Sequence, residues 1–201
     1  MSPSSANQSP EPSGALVLVV GPSGAGKDTL LNAAKQRFRA DSRFAFPERT
    51  ITRPSMPTAE EHATLTPEEF EKHRSAGGFG LSWTAHGLAY GIPVEDIMRV
   101  YNGTTVVVNV SRSVVRTAEL LCDFVTVLHV TAPIPILAAR IAGRGRESHG
   151  DIEARLSREA AIVSTRADVV DILNDRDVSV AAEQFCSELE AAHVSAMSRR
   201  E

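Results

Sequence analysis

Two cysteines in 201 residues, Cys122 and Cys186, are too few for a disulfide-stapled scaffold, and their spacing fits neither a metal site nor a redox pair. Both are expected as buried thiols in a reducing compartment, which points to the cytoplasm. Positive charge is not in excess either: 21 Lys and Arg stand against 25 Asp and Glu, a formal net charge of -4. That balance argues against a general nucleic-acid binder or a protein that coats anionic membranes. No apolar run approaches the length of a membrane span. Residues 1–13 are rich in Ser and Pro and lack both the basic and the apolar region of a signal peptide, so they read as a disordered tail. No internal repeat and no second linker divides the remainder.

What is present is enough apolar material, 42% hydrophobic against 23% charged, to build one α/β domain over residues 14–195. Its most informative stretch is Gly21-Pro22-Ser23-Gly24-Ala25-Gly26-Lys27-Asp28-Thr29. The pattern is Gly, four residues, Gly-Lys. It follows Leu16-Val17-Leu18-Val19-Val20, a short β-branched run that reads as a buried parallel strand. Leu30, Leu31, Ala34 and Phe38 then recur at helical spacing. Strand, glycine loop and helix form the setting of a phosphate-cradling P-loop. The glycines let backbone N–H groups turn toward a phosphate, the helix N-terminus adds its dipole, and Lys27 reaches the β and γ oxygens. A chance glycine cluster in a strand-to-helix turn does not account for that setting. The position after the Lys, usually Ser or Thr, is Asp28, followed by Thr29. Oxygen donors of either kind suit a hard cation, so both are candidate Mg²⁺ ligands.

Further along, residues 44–52 read as one strand leading into a polar loop. Thr66-Pro67-Glu68-Glu69 is a helix start, with Thr as N-cap, Pro at the first helical position and acids in the first turn. Gly77-Gly78 ends that helix. Residues 79–90 alternate around a turn at His86-Gly87, which predicts a small antiparallel hairpin. Pro93 opens a helix that stops at Asn102-Gly103. Residues 104–110 and 124–130 are two more continuous strands, with a helical stretch at 111–121 between them, giving βαβ order and a parallel sheet. Helices are expected over 133–142, 152–164 and 179–197, and a last strand over 169–173. Between the first two of those helices, the Gly-rich, charged segment 143–151 has the look of a hinged lid.

Arginines concentrate there: Arg140, Arg144 and Arg146 before or within the segment, Arg155 and Arg158 beyond it. Any one of them alone reads as a solvated charge beside Glu147, Glu153 or Glu159. As a group beside a glycine hinge in a P-loop protein, they suit phosphoryl transfer, which asks for charge neutralisation by planar, bidentate donors.

With these segments in view, the chain resembles the guanylate kinase-like P-loop kinases over roughly residues 14–192. Thr50-Ile51-Thr52-Arg53-Pro54 is similar to that family's acceptor-phosphate segment and Ala89-Tyr90-Gly91 to its acceptor hairpin. Residues 137–156 are similar to its lid, and Leu173-Asn174-Asp175 to the segment passing near the adenine. The resemblance implies a P-loop NTPase fold: a parallel sheet flanked by helices, a small acceptor-binding hairpin subdomain and an arginine-bearing lid. It implies ATP as co-substrate with Mg²⁺. It also implies Lys27, Arg144 and Arg155 as catalytic residues. Residues 21–29 (Gly21, Pro22, Ser23, Gly24, Ala25, Gly26, Lys27, Asp28, Thr29), Arg140 and Asn174 would bind the nucleotide.

The departures single out one branch. Where guanylate kinases carry guanine-reading acids, this chain has Val108-Asn109-Val110-Ser111-Arg112, and Met56 stands where a second arginine is expected. Gly-Lys-Asp-Thr, Arg49 to Pro54, Glu60-Glu61-His62 and Trp83 to Pro93 together resemble the ribose 1,5-bisphosphate phosphokinases. That likeness implies a phosphorylated sugar as acceptor and PRPP as product, in phosphonate catabolism. A base-free acceptor removes the need for carboxylates, and two phosphates call for more cations. Arg49, Arg53 and Tyr90 are therefore expected to hold the attacking phosphate, and Arg112, just past the strand 104–110, the second one. The attacking oxygen is already ionised at neutral pH, so none of His62, His73 and His86 is needed as a base, and Trp83 is expected to pack the hairpin. Two other readings stay open: a guanylate or other nucleoside monophosphate kinase, and a non-catalytic binding module of the same family. The oligomeric state is open too, a homodimer included.

Overall fold

The computed structural model describes residues 14–52, 62–142, 164 and 166–198. Five parallel strands form the core sheet in the order β2-β7-β1-β8-β9. They are β1 Leu16–Val20, β2 Phe44–Ala45, β7 Thr105–Asn109, β8 Val125–Thr131 and β9 Asp168–Leu173. β1 lies at the centre because all five of its residues are apolar and can be buried on both faces. Its register places Leu16 opposite Val106 on one side and Val125 on the other.

Period-2 alternation divides β1 between two cores. Val17 and Val19 face a cluster with Leu30, Leu137, Phe185 and Leu189. These belong to α1 Lys27–Arg37, α5 Ile134–Ala142 and α6 Val178–Ser198. Leu16, Leu18 and Val20 face the opposite cluster with Leu81, Ile92, Ile97 and Val115. Val115 opens α4 Val115–Leu121, and Ile97 closes α3 Val94–Ile97, which runs on as a 3-10 turn to Asn102. Gly103, in the left-handed region at φ 83°, stops that segment as expected.

The second sheet has four strands in the order β4-β3-β6-β5: β3 Arg49–Ile51, β4 His62–Thr64, β5 Phe79–Ala85 and β6 Leu88–Pro93. The β5–β6 hairpin turns at His86 (φ 51°) and Gly87 (φ 74°), the two positive φ values that a tight hairpin needs. α2 Pro67–Ser75 begins with the full capping box expected of its sequence. Thr66 Oγ1 accepts from the Glu69 N–H at 3.2 Å, and the Glu69 carboxylate accepts from the Thr66 N–H at 2.9 Å.

Two expectations change. Residues 44–52 are two strands in different sheets, because Pro47 interrupts the run and the chain crosses there from the core sheet to the small one. The polar segment that follows also contains β4, paired parallel to β3 through Arg49 and His62, Thr50 and Ala63, Ile51 and Thr64. Its partner strand, not its own hydrophobicity, defines it. The tail 1–13, the lid segment 143–151 and nearly all of the helix expected over 152–164 lie outside the described residues. Among the described residues, no helix is long and apolar enough to cross a membrane.

Candidate active site

The P-loop leaves the carboxyl end of β1, where the sheet order reverses between β7 on one side and β8 on the other. Ligands of open α/β sheets bind at such crevices. Three of its glycines take positive φ: Gly21 at 144°, Gly24 at 83° and Gly26 at 92°. A Cβ at Gly21 would strike the Val130 carbonyl oxygen, and one at Gly26 the Asn174 amide nitrogen. Gly26 is also the N-cap of α1, so the loop ends with backbone N–H groups at a helix N-terminus. Lys27 folds over the loop, donating from Nζ to the Gly21 carbonyl at 2.7 Å and the Pro22 carbonyl at 2.9 Å.

A cavity of about 400 Å³ opens in front of this loop. The loop and the start of α1 form one wall, with Lys27, Asp28 and Thr29. Arg49, Trp83, His86 and Tyr90 come from the small sheet, and Asn109, Ser111 and Arg112 from the end of β7. Residues more than eighty positions apart thus meet because both sheets direct strand ends at one cleft.

Within it, Tyr90 stacks on Trp83 with ring centroids 5.3 Å apart and planes 6° from parallel. Arg49 also lies over the Tyr90 ring, its guanidinium carbon 5.8 Å from the centroid. The pairing Trp83–Tyr90 follows directly from the hairpin register. Asp28 accepts a hydrogen bond from Asn109 Nδ2 at 2.9 Å. A strand-end acid at 109 would repel Asp28, whereas the amide orients it. Among the described residues, no group of three or more His, Cys, Asp or Glu could cage a metal. Mg²⁺ bound chiefly by nucleotide phosphates and water needs no such cage, and one or two oxygen ligands such as Asp28 and Thr29 fit that donor set.

Behind the loop, Asn174 is 4% exposed and donates from Nδ2 to the Ala25 carbonyl at 2.8 Å. Its position is fixed by the end of β9, where the Asn174 N–H reaches the Thr131 carbonyl at 2.8 Å. Arg140, on α5, approaches the Gly24 carbonyl with a long contact of 3.4 Å. Both expected nucleotide residues therefore touch the loop's backbone. Arg53, Arg144 and Arg155 lie outside the described residues. His73, exposed on α2, packs edge-on against Phe79 of β5 with ring centroids 4.6 Å apart.

In the sequence Asn109 shows only as the absence of an acid; its pairing with Asp28 becomes visible in the fold, because 81 residues separate the two. Helical spacing places Asp28, Asn32 and Lys35 on one face of α1.

No family model matches the chain. It is 41% identical over 182 residues to the ribose 1,5-bisphosphate phosphokinase PhnN of Brucella melitensis, covering 90% of this chain and 95% of that protein. Against the protein of the same name from Methylobacterium radiotolerans it is 47% identical over 179 residues, covering 89% of this chain and 98% of the relative. In structure it is similar to the guanylate kinase of Anaplasma phagocytophilum, with a TM-score of 0.64 at 17% identity, covering 91% of this chain and 88% of that one. That last likeness concerns the fold.

Proposed function

The chain belongs to the ribose 1,5-bisphosphate phosphokinase family, and from that premise we propose that it transfers the γ-phosphoryl group of ATP to ribose 1,5-bisphosphate, forming PRPP and ADP. The observation that carries the reading is the single cavity in which the P-loop lysine meets Arg49, Tyr90 and Arg112 with no carboxylate at the end of β7. A phosphate acceptor is favoured there, and a guanine is not, since its N–H donors would meet Asn109, Ser111 and Arg112 instead of acids.

An oxygen of the acceptor's anomeric phosphate attacks the γ-phosphorus, the bond from that phosphorus to the β-γ bridging oxygen breaks, and ADP leaves with the electron pair. The nucleophile is already anionic, so no side chain takes a proton. Catalysis reduces to alignment and charge neutralisation. The loop N–H groups receive the β-phosphate, and Lys27 exchanges its carbonyl partners for phosphate oxygens. Arg49 and Arg112 approach the acceptor from two different elements, with Tyr90 backing Arg49. In line with the family resemblance, Arg53 is assigned to the acceptor phosphate, and Arg144 and Arg155 to catalysis; all three lie outside the described residues. Asp28 and Thr29 would hold Mg²⁺, which when bound shields the phosphate charges. Asn174 and Arg140 act on the loop by fixing its carbonyls.

The test is a coupled measurement of ATP consumption by the full chain with ribose 1,5-bisphosphate, ribose 1-phosphate and GMP as acceptors. Turnover with the bisphosphate at least a hundredfold above GMP is expected. GMP as the better acceptor would return the chain to the nucleoside monophosphate kinases.

A further inference from the structure

A second cavity, of about 370 Å³, lies beside the first, and Asp28, Arg49 and Asn109 line both. It sits in the elbow where the chain crosses from the core sheet to the small sheet. α1 contributes Lys35, and the β2–β3 crossover contributes Pro47 and Glu48. Leu31, Ile92 and Val107 form an apolar floor. Nothing in the phosphoryl-transfer step uses Lys35, yet it is half-buried on the face of α1 that carries Asp28.

Distance gives this cavity a role. Lys35 stands eight residues after Lys27 on one continuous helix, about 12 Å further along its axis at 1.5 Å per residue. An acceptor phosphate must lie against the γ-phosphoryl group at the P-loop. A furanose and a second phosphate extend beyond it by a comparable length. Arg112 lines only the cavity that holds the loop, so it is near the reaction end. Lys35 lines only the outer one, and Arg49 reaches both.

We propose that the outer cavity is the subsite for the acceptor's far phosphate, the sugar 5-phosphate, held by Lys35 and Arg49, with Arg112 serving the phosphate that attacks. The assignment rests on the proposed sugar-phosphate acceptor, and it exchanges the roles expected for Arg112 and Arg49 from sequence. Glu48 and Asp28 add negative charge to the same walls. Asp28 is engaged by Asn109, and Glu48 offers an acceptor for sugar hydroxyls, so the two cations define the phosphate end. An ammonium and a guanidinium converging from two elements suit a phosphate dianion, and the apolar floor suits the face of a sugar ring.

The experiment titrates the full chain, without ATP, with ribose 5-phosphate, ribose 1-phosphate and GMP by calorimetry, alongside steady-state kinetics on ribose 1,5-bisphosphate. In Lys35→Gln, affinity for ribose 5-phosphate should fall at least tenfold, while Lys35→Arg restores most of it. Arg112→Ala should weaken ribose 1-phosphate instead. The KM for the bisphosphate should rise tenfold or more in Lys35→Gln, with the KM for ATP changed less than twofold. Ribose 5-phosphate binding that is absent in the wild type, or equal in Lys35→Gln and wild type, overturns the subsite. So does GMP binding that is tighter than ribose 5-phosphate and lost in Lys35→Gln, which marks a base pocket. If ribose 5-phosphate binds through Lys35 but the bisphosphate is not phosphorylated, the subsite stands and the proposed reaction falls.

Discussion

Asn109 Nδ2 donates to Asp28 Oδ1 at 2.9 Å, joining the end of β7 to the first turn of α1 beside the P-loop lysine. The bond occupies one carboxylate oxygen and fixes the plane of the other. Asp28 is thereby oriented by an amide at a position where an acid would compete with it.

If Asp28 organises Mg²⁺ through that geometry, Asp28→Asn should raise the Mg²⁺ concentration required for half-maximal activity about tenfold or more, and Thr29→Ala much less. Asn109→Ala, which frees the carboxylate to rotate, should fall between them. A Mg²⁺ titration of the three variants at saturating ATP checks the order. The reverse ranking would assign the metal to Thr29.

Lys27→Ala should lower kcat by about 10²–10³, the usual cost of removing one preorganised cation from a charged transition state. Its Nζ donates to the Gly21 and Pro22 carbonyls of the loop, outside the apolar core, so melting temperature should change little. Turnover near that of the wild type would remove the P-loop from the mechanism.

Glu119 is 3% exposed, and its Oε1 accepts from Ser164 Oγ at 2.8 Å and from the backbone N–H groups of Arg166 and Ala167 at 3.1 Å each. This knot ties α4 to the start of β9, the strand that ends under the loop at Asn174. Glu119→Ala should destabilise the protein by about 2 kcal/mol, since two backbone N–H groups lose their acceptor in a partly buried place, while Ser164 Oγ keeps the Ala167 carbonyl at 3.1 Å. Glu119→Gln, which keeps an accepting oxygen, should lose less. Denaturant unfolding measures both, and an alanine variant as stable as wild type would show the knot to be replaceable by water.

His193 Nδ1 and Thr105 Oγ1 lie 2.9 Å apart in the core. Burial, with Arg43 adding to it and Asp41 opposing, lowers the His193 pKa below its ordinary value of 6.5. The folded state thus holds the ring neutral, and the unfolded chain takes up the proton first as pH falls. Stability from this group is complete above pH 6.5 and declines as pH drops from there toward the folded pKa. Melting temperature should therefore fall as pH drops below 6.5, and His193→Gln should flatten that slope even if it is less stable throughout.

Burial also pushes the Cys122 thiol up to about 12. At pH 8 it should resist iodoacetamide in the folded protein and react promptly after denaturation, because the thiolate is the reactive form. Rapid alkylation of the native chain would show that α4 opens locally.

The strand, glycine loop and first helix are legible in the sequence because their signals are local. Leu16 to Val20 can only be buried on both sides, Gly21, Gly24 and Gly26 occur where φ must be positive, and Lys27 follows at once. The capping box at Thr66 and the turn at His86-Gly87 are local in the same way. Four features depended on partners elsewhere in the chain. Residues 44–52 divide between two sheets because β7 takes Phe44 and β6 takes Thr50. β4 exists only through its pairing with β3, having no hydrophobic pattern to announce it. Asn109 meets Asp28 across 81 residues, and Lys35 comes to face a cavity only once the crossover at Pro47 folds over α1. Short-range patterns set the elements and the loop's backbone strain. Which side chains converge on the cleft was decided by strand order and register, because a hydrogen bond or a cavity wall requires atoms brought together from separate elements.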